Sequence, residues 1–205
     1  MAADYGKMVA DLLAFHDFAG KTILTVGAGG GQLIEYGRTA RRVLALDNDA
    51  QALEKLRENL RIAGLEDKFE PVLGDFLSVE LKADAVLFEF SLHEMADPGA
   101  ALERARRLAP AVVVFDHGPG SLWSYMASEE DKVVAAWAAV CRFPVKKTRM
   151  QEGVQAFPGY EELCQKVKGQ GEKSLARIER YRGQAGIRIP FTYGLALIEG
   201  NISEI

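Results

Sequence analysis

Apolar residues recur along the chain at two spacings, one typical of strands and one typical of helices. Short apolar runs predict strands at 22–26, 43–46, 69–73, 85–88 and 111–115. Apolar residues three and four positions apart, with capping signals, predict helices at 5–18, 32–40, 49–64, 98–108, 128–141 and 160–168. Continuous apolar strands that alternate with helices indicate a parallel sheet buried on both faces. The pattern therefore predicts an α/β fold with a doubly wound sheet.

The C-terminal third carries a weaker pattern. Residues 176–182 alternate apolar and polar side chains, and residues 191–198 are rich in strand-forming types. Because the two runs are close in the sequence, we predict that they pair antiparallel at one edge of the sheet. The stretch 143–157 supports no assignment.

Length and composition narrow the class of protein. The 205 residues suffice for one domain with a substantial core, and 48% apolar with 26% charged residues is typical of globular proteins. No apolar run approaches the ~20 residues of a membrane span, and residues 1–20 lack the basic start of a signal peptide. Cys141 and Cys164 have no metal-ligand spacing. We therefore expect a cytoplasmic protein without a metal centre.

The charge is acidic overall but uneven along the chain. A net charge of −4 disfavours a nucleic-acid partner, whose binding relies on neutralised phosphates. Residues 142–188 are locally basic, with eleven Lys and Arg against five Glu. This segment forms either a solvated surface or a surface that steers an anionic substrate or partner.

A glycine-rich segment follows the first predicted strand. Residues 27–31 read Gly-Ala-Gly-Gly-Gly, and glycines there let the backbone turn sharply and approach a ligand closely. Ligands of doubly wound sheets bind at the carboxyl ends of the strands, where this loop lies. The dinucleotide pattern G-x-G-x-x-G fails because its third glycine would fall at Gln32 or Ile34. A nicotinamide-dependent oxidoreductase is therefore disfavoured.

Acidic residues follow the next two predicted strands. Asp47 lies 20 residues beyond Gly27, where its two oxygens can accept both hydroxyls of a ribose. Asp75 can accept from the exocyclic amine of adenine, and the ring of Phe76 can cover the base. Alternatively, Asp75 is a turn residue and Phe76 is part of the apolar core, and neither binds a ligand. Asp49 is better explained as the cap of the following helix.

The order of these segments resembles class I S-adenosylmethionine-dependent methyltransferases over residues 20–117. Residues 91–98 (SLHEMADP) and 107–110 (RLAP) are similar to the small-molecule branch of that class, which includes quinone-biosynthesis C-methyltransferases. The resemblance implies a Rossmann-like, mostly parallel sheet of seven strands and S-adenosylmethionine as the cofactor. It implies one methyltransferase domain over 1–205, with an N-terminal helix (1–20), a cofactor-binding half (20–117) and a substrate-side half (118–205). The cofactor-binding residues would be Gly27, Ala28, Gly29, Gly31, Asp47, Asn48, Asp75 and Phe76.

One departure from the family points to a further residue. Thr25 stands where family members commonly place an acid that helps to hold the methionine amino group. Glu89 ends an otherwise apolar strand, where a carboxylate is costly unless it is paired. We therefore predict that Glu89 binds that amino group. The Asn/Asp-Pro-Pro-Tyr motif of amino-methylating DNA enzymes is absent after the fourth strand, which disfavours a nucleic-acid base as acceptor.

The candidate catalytic and acceptor residues also follow strands. His93 and His117 come after the fourth and fifth strands, so both are expected at one cleft. Each histidine is a candidate general base, and a general base is needed only if the acceptor must lose a proton. The alternative is that each histidine hydrogen-bonds to a loop carbonyl and has no chemical role. Trp123 and Tyr125 either form a wall of the acceptor pocket or cap the core.

These observations together predict methyl transfer from S-adenosylmethionine to a small-molecule acceptor. The first alternative is an RNA or protein methyltransferase that holds its substrate with the basic segment 142–188. The second alternative is a module that binds S-adenosylmethionine or its product without transferring the methyl group.

Overall fold

Seven strands form one sheet in the computed structural model, which describes residues 3–201. The strands are β1 (Thr22–Val26), β2 (Arg42–Asp47), β3 (Phe69–Leu73), β4 (Ala85–Glu89), β5 (Ala111–His117), β6 (Val145–Gly159) and β7 (Ala185–Glu199). Their order across the sheet is β3-β2-β1-β4-β5-β7-β6, and β7 runs antiparallel to both of its neighbours. The Rossmann-like, mostly parallel sheet with an antiparallel C-terminal edge is therefore confirmed. The first two and last four residues of the proposed domain lie outside the described residues.

Helices cover both faces of the sheet. They are α1 (Tyr5–Phe15), α2 (Ala50–Ala63), α3 (Pro98–Leu108), α4 (Leu122–Met126), α5 (Glu130–Val140), α6 (Tyr160–Val167) and α7 (Glu172–Ile178). Neighbouring residues of β1 belong to different apolar cores, Ile23 to one with α1 and α2, and Leu24 to the other with α3 and α5. Because successive strand side chains point to opposite faces, the sheet is buried on both sides. No helix within residues 3–201 is long and apolar enough to cross a membrane.

The predicted ends of α2 have the expected capping geometry. The Asp49 carboxylate accepts a hydrogen bond of 2.8 Å from the backbone N–H of Gln51. Gly64 ends the helix with a φ of 65°, in the left-handed region that favours glycine. Asp49 is thus the helix cap, which leaves Asp47 as the acid available at the end of β2.

The segment 32–40 is not the short helix that its pattern predicts. Only Ile34–Arg38 is helical, as a 3₁₀ turn. Gly37 within this turn packs so closely on the ring of Phe69 that a side chain would clash with it. Glycine also weakens an α-helix, so the tight turn is the form that suits this sequence.

The predicted strand at 176–182 is wrong. Residues 176–181 lie in α7 and in the 3₁₀ turn Glu179–Tyr181 that follows it. The buried residues Ser174 and Ile178 lie four positions apart, which is the helical period. The partner of β7 is instead β6, in the stretch without an assignment. Only Phe157 is buried among the fifteen residues of this edge strand, so it lacks an apolar pattern.

Candidate functional site

The glycine loop after β1 has a backbone that other residues would strain. Gly27, Gly29 and Gly31 have φ values of 72°, 52° and 75°. A side chain at Gly27 would clash with Ser91, whose hydroxyl donates a 2.6 Å hydrogen bond to the carbonyl of Val26. The loop is therefore held tightly against the segment that follows β4.

A first cavity of about 310 Å³ opens beside this loop, at the carboxyl ends of the first four strands. Asp47 lies at its wall, and its two oxygens accept the backbone N–H groups of Gly29 at 2.7 Å and Asp49 at 2.9 Å. These bonds fix the orientation of the carboxylate. The lining residues are Val26, Gly27, Leu46, Asp47, Asn48, Gly74, Asp75, Phe76, Phe90, Ser91, Glu94 and Met95.

Two predicted contacts of the first cavity also have structural roles. Asp75 accepts a 3.0 Å hydrogen bond from the backbone N–H of Leu77. Phe76 is buried and packs edge-on against Phe88, with ring centroids 5.4 Å apart. Both residues nevertheless line the cavity, so the structural and binding roles are compatible.

A second cavity, of about 280 Å³, shares Gly27 and Phe90 with the first. Phe90 has a φ of 50°, an uncommon conformation for an aromatic residue, of the kind that clusters at functional sites. The two cavities therefore adjoin at a strained residue. The lining residues are Ala3, Tyr5, Met8, Gly27, Ala28, Gly29, Gln32, Leu33, Glu89, Phe90, His117, Trp123, Gln155, Lys166 and Phe191.

Glu89 supplies a buried carboxyl group to the second cavity. Glu89 is only 8% exposed, and this burial raises the pKa of its carboxyl group to about 8. The nearby Tyr36 hydroxyl partly offsets that rise. The Tyr36 hydroxyl also lies 2.6 Å from the Thr25 hydroxyl. Thr25 pairs with Leu87 across the sheet, two residues before Glu89. The carboxyl group of Glu89 is thus close to Thr25, the strand position at which family members commonly place an acid.

A second buried polar group centres on Asp116. Its oxygens accept the backbone N–H of His93 at 2.9 Å and that of His117 at 2.7 Å. Nδ1 of His93 lies 2.6 Å from the same carboxylate, so this nitrogen is the donor. Burial lowers the pKa of His93, but the hydrogen bonds with Asp116 and Glu94 outweigh it and raise the pKa to about 10.

His117 differs from His93 although the two rings lie 5.4 Å apart. It is only 9% exposed, and its Nδ1 has no hydrogen-bond partner within the described part of the chain. Burial lowers its pKa to about 4. The indole N–H of Trp137 donates a 2.7 Å bond to the carbonyl of His117 and so fixes the backbone beneath the ring.

Comparison with known proteins relates this architecture to methyl transfer. Residues 24–111 match the family model described as a methyltransferase domain. A ribosomal protein L11 methyltransferase of Escherichia coli is 30% identical over 128 residues, which are 60% of this chain and 40% of that protein. The chain therefore spans about 40% of the length of such curated relatives.

Solved structures share the fold. A putative methyltransferase from Bacillus halodurans has a TM-score of 0.69 at 15% identity, covering 93% of this chain and 97% of the other. Magnesium protoporphyrin IX methyltransferase from Synechocystis, solved with bound S-adenosylhomocysteine, has a TM-score of 0.59 at 13% identity, covering 96% and 82%. Residues 24–111 thus match a methyltransferase domain, and the chain shares the fold of these solved methyltransferases.

The two cavities of this fold fit the two halves of S-adenosylmethionine chemically. The first offers the oxygens of Asp47 and Asp75 for hydroxyl and amine donors of an adenosine. The second offers the buried carboxyl of Glu89 for a methionine ammonium group. Because both cavities include Gly27, one extended ligand can contact both sets of residues.

The domain brings together most of the predicted site residues, but three stand apart. A side chain at Gly31 would lie 2.6 Å from Leu56 Cδ1, so this glycine serves packing and lines neither cavity. His93 hydrogen-bonds to Asp116 and lines neither of the two cavities. Tyr125 is 46% exposed, with the guanidinium carbon of Arg177 at 3.8 Å from its ring centroid. The binding and catalytic roles of all the named residues stay predictions.

Several residues at the site carry no sequence signal that identifies them. Phe90 follows a predicted strand. Its backbone is left-handed although it is not a glycine, so the sequence does not indicate this conformation. Gln155 and Phe191 reach the second cavity from β6 and β7, and Lys166 reaches it from α6. Lys166 is one of the eleven Lys and Arg residues of the basic segment 142–188, and nothing in the sequence distinguishes it from the others. These contacts depend on the tertiary fold of the C-terminal third.

Proposed function

We propose that this protein transfers the methyl group of S-adenosylmethionine to a small-molecule acceptor. The observation that carries the proposal is the pair of adjoining cavities, one lined with acids suited to adenosine and one with aromatic walls. When bound, S-adenosylmethionine would supply a methyl carbon whose bond to the positively charged sulfur breaks as the acceptor bonds to it in line, releasing S-adenosylhomocysteine. The chain's own contribution is to hold and align the two reactants, which can supply several kcal/mol.

The proposed cofactor contacts follow from the lining residues. Asp47, with Asn48 beside it, holds the ribose hydroxyls, and Asp75 accepts from the adenine amine while Phe76 packs against the base. Glu89 holds the methionine ammonium group. In the cofactor-free protein its raised pKa keeps this carboxyl protonated near neutral pH, so the ammonium group displaces a proton.

The second cavity, which would also receive the methionine end of the cofactor at Glu89, is our proposed acceptor site. Its volume of about 280 Å³ is close to the lower end of small-molecule pockets, and Trp123 and Phe191 give it flat apolar walls. Lys166 adds a cation, and Gln155 has a buried side-chain oxygen without a partner within residues 3–201. This combination favours a planar acceptor with an anionic group and a hydrogen-bond donor. His117 contacts the acceptor, and His93 acts as a positioning residue through Asp116.

A protein acceptor is the second candidate. The matched relatives are methyltransferases of ribosomal protein L11, although this chain spans only about 40% of their length. Exposed Lys146, Lys147 and Arg149 on β6 lie in the basic segment and could receive an acidic region of a protein. The narrow, aromatic-walled cavity favours the small-molecule acceptor over this candidate.

Label transfer distinguishes the candidates. A cell extract is divided by ultrafiltration into small-molecule and macromolecular fractions, and each is incubated with the protein and methyl-tritiated S-adenosylmethionine. We expect label in the small-molecule fraction. Label in the macromolecular fraction alone would support a protein or RNA acceptor. Calorimetry with S-adenosylhomocysteine and NAD tests the cofactor, and binding without any label transfer would favour a non-catalytic module.

The cellular location is also a proposal. Cys141 and Cys164 are both free thiols, which is compatible with a reducing cytoplasm. Measurement of the protein in fractionated cells checks this expectation.

A further inference from the structure

Two histidines and a glutamate converge beside the second cavity, although the sequence predicted no metal centre. His93, His117 and Glu129 each present one ligand atom, and these atoms all lie within 4.8 Å of one another. All three residues are buried. His93 follows β4, His117 ends β5 and Glu129 follows α4, so the group forms only when the sheet has assembled.

His93 is oriented with one ring nitrogen facing acids. Its Nδ1 donates to Asp116, which leaves Nε2 as the atom available to a further partner. Nε2 lies 3.3 Å from Glu94 Oε1 and 3.9 Å from Glu129 Oε2. A carboxylate that holds the other nitrogen is the usual support of a metal-binding histidine.

Glu129 is supported in the same manner. The side-chain amide of Gln170 donates a 2.8 Å hydrogen bond to its Oε1. Oε2 is therefore the oxygen that faces His93. Separate partners, Asp116 and Gln170, thus orient two of the three side chains toward the cluster.

His117 provides an independent indication that a ligand is required here. It is more than nine-tenths buried, and its Nδ1 has no partner among residues 3–201. A buried polar atom without a partner is costly, and such atoms call for a specific explanation. A cation bound at this Nδ1 would provide one.

We propose that His93, His117 and Glu129 bind one divalent first-row transition-metal ion of the zinc or ferrous-iron class. Two imidazoles and a carboxylate form a ligand set that both ions accept. Ligand atoms around a tetrahedral zinc lie about 3.4 Å apart, given bonds of about 2.1 Å. The His93 Nε2 and Glu129 Oε2 atoms, 3.9 Å apart, and the remaining pairs, up to 4.8 Å apart, would move closer on binding the ion. Glu94 is the nearest additional oxygen donor.

Cobalt(II) is the probe for this site because it substitutes for zinc and absorbs visible light. The untagged full chain is stripped with EDTA, dialysed and titrated with CoCl₂, with ZnCl₂ as competitor. We expect one equivalent of Co²⁺ to bind with a visible absorption band that Zn²⁺ abolishes. His117→Gln is expected to weaken Co²⁺ binding more than tenfold. His16→Gln is the matched control because His16 lies outside the cluster, and it should bind as the wild type does.

Thermal unfolding with and without ZnCl₂ provides a second measurement. Zn²⁺ should raise the Tm of the wild type and of His16→Gln, because a ligand of the native state stabilises it. If His117→Gln does not unfold cooperatively, Glu129→Gln is used as the test variant instead, because the glutamine side chain has nearly the same shape as glutamate. Equal Co²⁺ affinity in the wild type and in either cluster variant would overturn the proposal. Binding of S-adenosylhomocysteine is measured separately, so failure here leaves the proposed methyl transfer intact.

Discussion

Two carboxylates near the end of β2, Asp47 and Asp49, have the same chemistry and different partners. Asp47 lines the first cavity, whereas Asp49 caps α2. We expect Asp47→Ala to weaken S-adenosylhomocysteine binding at least tenfold in calorimetry. Asp49→Ala should instead lower the free energy of unfolding by about 1 kcal/mol, as the loss of a helix cap does, and leave affinity nearly unchanged. Equal effects of both substitutions on affinity would contradict the assignment of Asp47.

Glu89 makes cofactor binding dependent on pH. Its pKa of about 8 means that the carboxyl must lose a proton before it can pair with the methionine ammonium group. Affinity for S-adenosylhomocysteine should therefore rise between pH 6 and pH 7.5, by up to about tenfold per pH unit. Glu89→Gln should remove this rise and weaken binding at pH 7.5. Calorimetry that gives the same affinities for both proteins would exclude Glu89 as the ammonium ligand.

At the scale of elements, Gly31 lies in the loop between β1 and the 3₁₀ turn. Comparing it with Gly120 separates the cost of a left-handed backbone from the cost of crowding in the core. Gly31 and Gly120 have nearly the same φ, 75° and 77°. A side chain at Gly31 would lie 2.6 Å from Leu56, whereas none of the described atoms lies within 4 Å at Gly120.

This pair of glycines gives a prediction about stability. Gly120→Ala should cost about 1 kcal/mol, which is the penalty of the left-handed backbone alone. Gly31→Ala should cost about 1–3 kcal/mol more because it also crowds the core against α2. Urea unfolding measures both changes. Similar losses would show that Leu56 yields readily and that the close packing of the loop is unimportant.

The elements that could be predicted from the sequence are those with a complete burial pattern. The bounds of β1 and α3 are as predicted, because buried parallel strands give apolar runs and helices give a stripe with caps. The edge strand β6 was missed because only one of its residues is buried. The segment 176–182 alternated by chance, and tertiary packing made it helical.

The site was predictable where each residue follows its own strand. Asp47, Asp75 and Glu89 reach the cavities because parallel strands end at one edge of the sheet. Trp123 and Tyr125 could not be separated in advance, since they lie two residues apart on the short helix α4 and so on different sides. The convergence of Glu129 on His93 and His117 depends on the packing of α4 and α5 after β5, which spacing does not reveal.

At the scale of the whole molecule, Glu89 should also govern how stability changes with pH. Its pKa is raised from 4.5 in the unfolded chain to about 8 in the folded protein. The folded state therefore keeps a proton that the unfolded state loses, so this contribution is complete below pH 4.5 and is lost as the pH rises through 8. We expect the cofactor-free wild type to lose up to a few kcal/mol relative to Glu89→Gln between pH 5 and pH 8.5. The comparison cancels the other titrating groups, such as His16, whose pKa burial lowers to about 4. Urea unfolding of both proteins at the two pH values measures the difference, and a difference independent of pH would mean that Glu89 is already ionised in the fold.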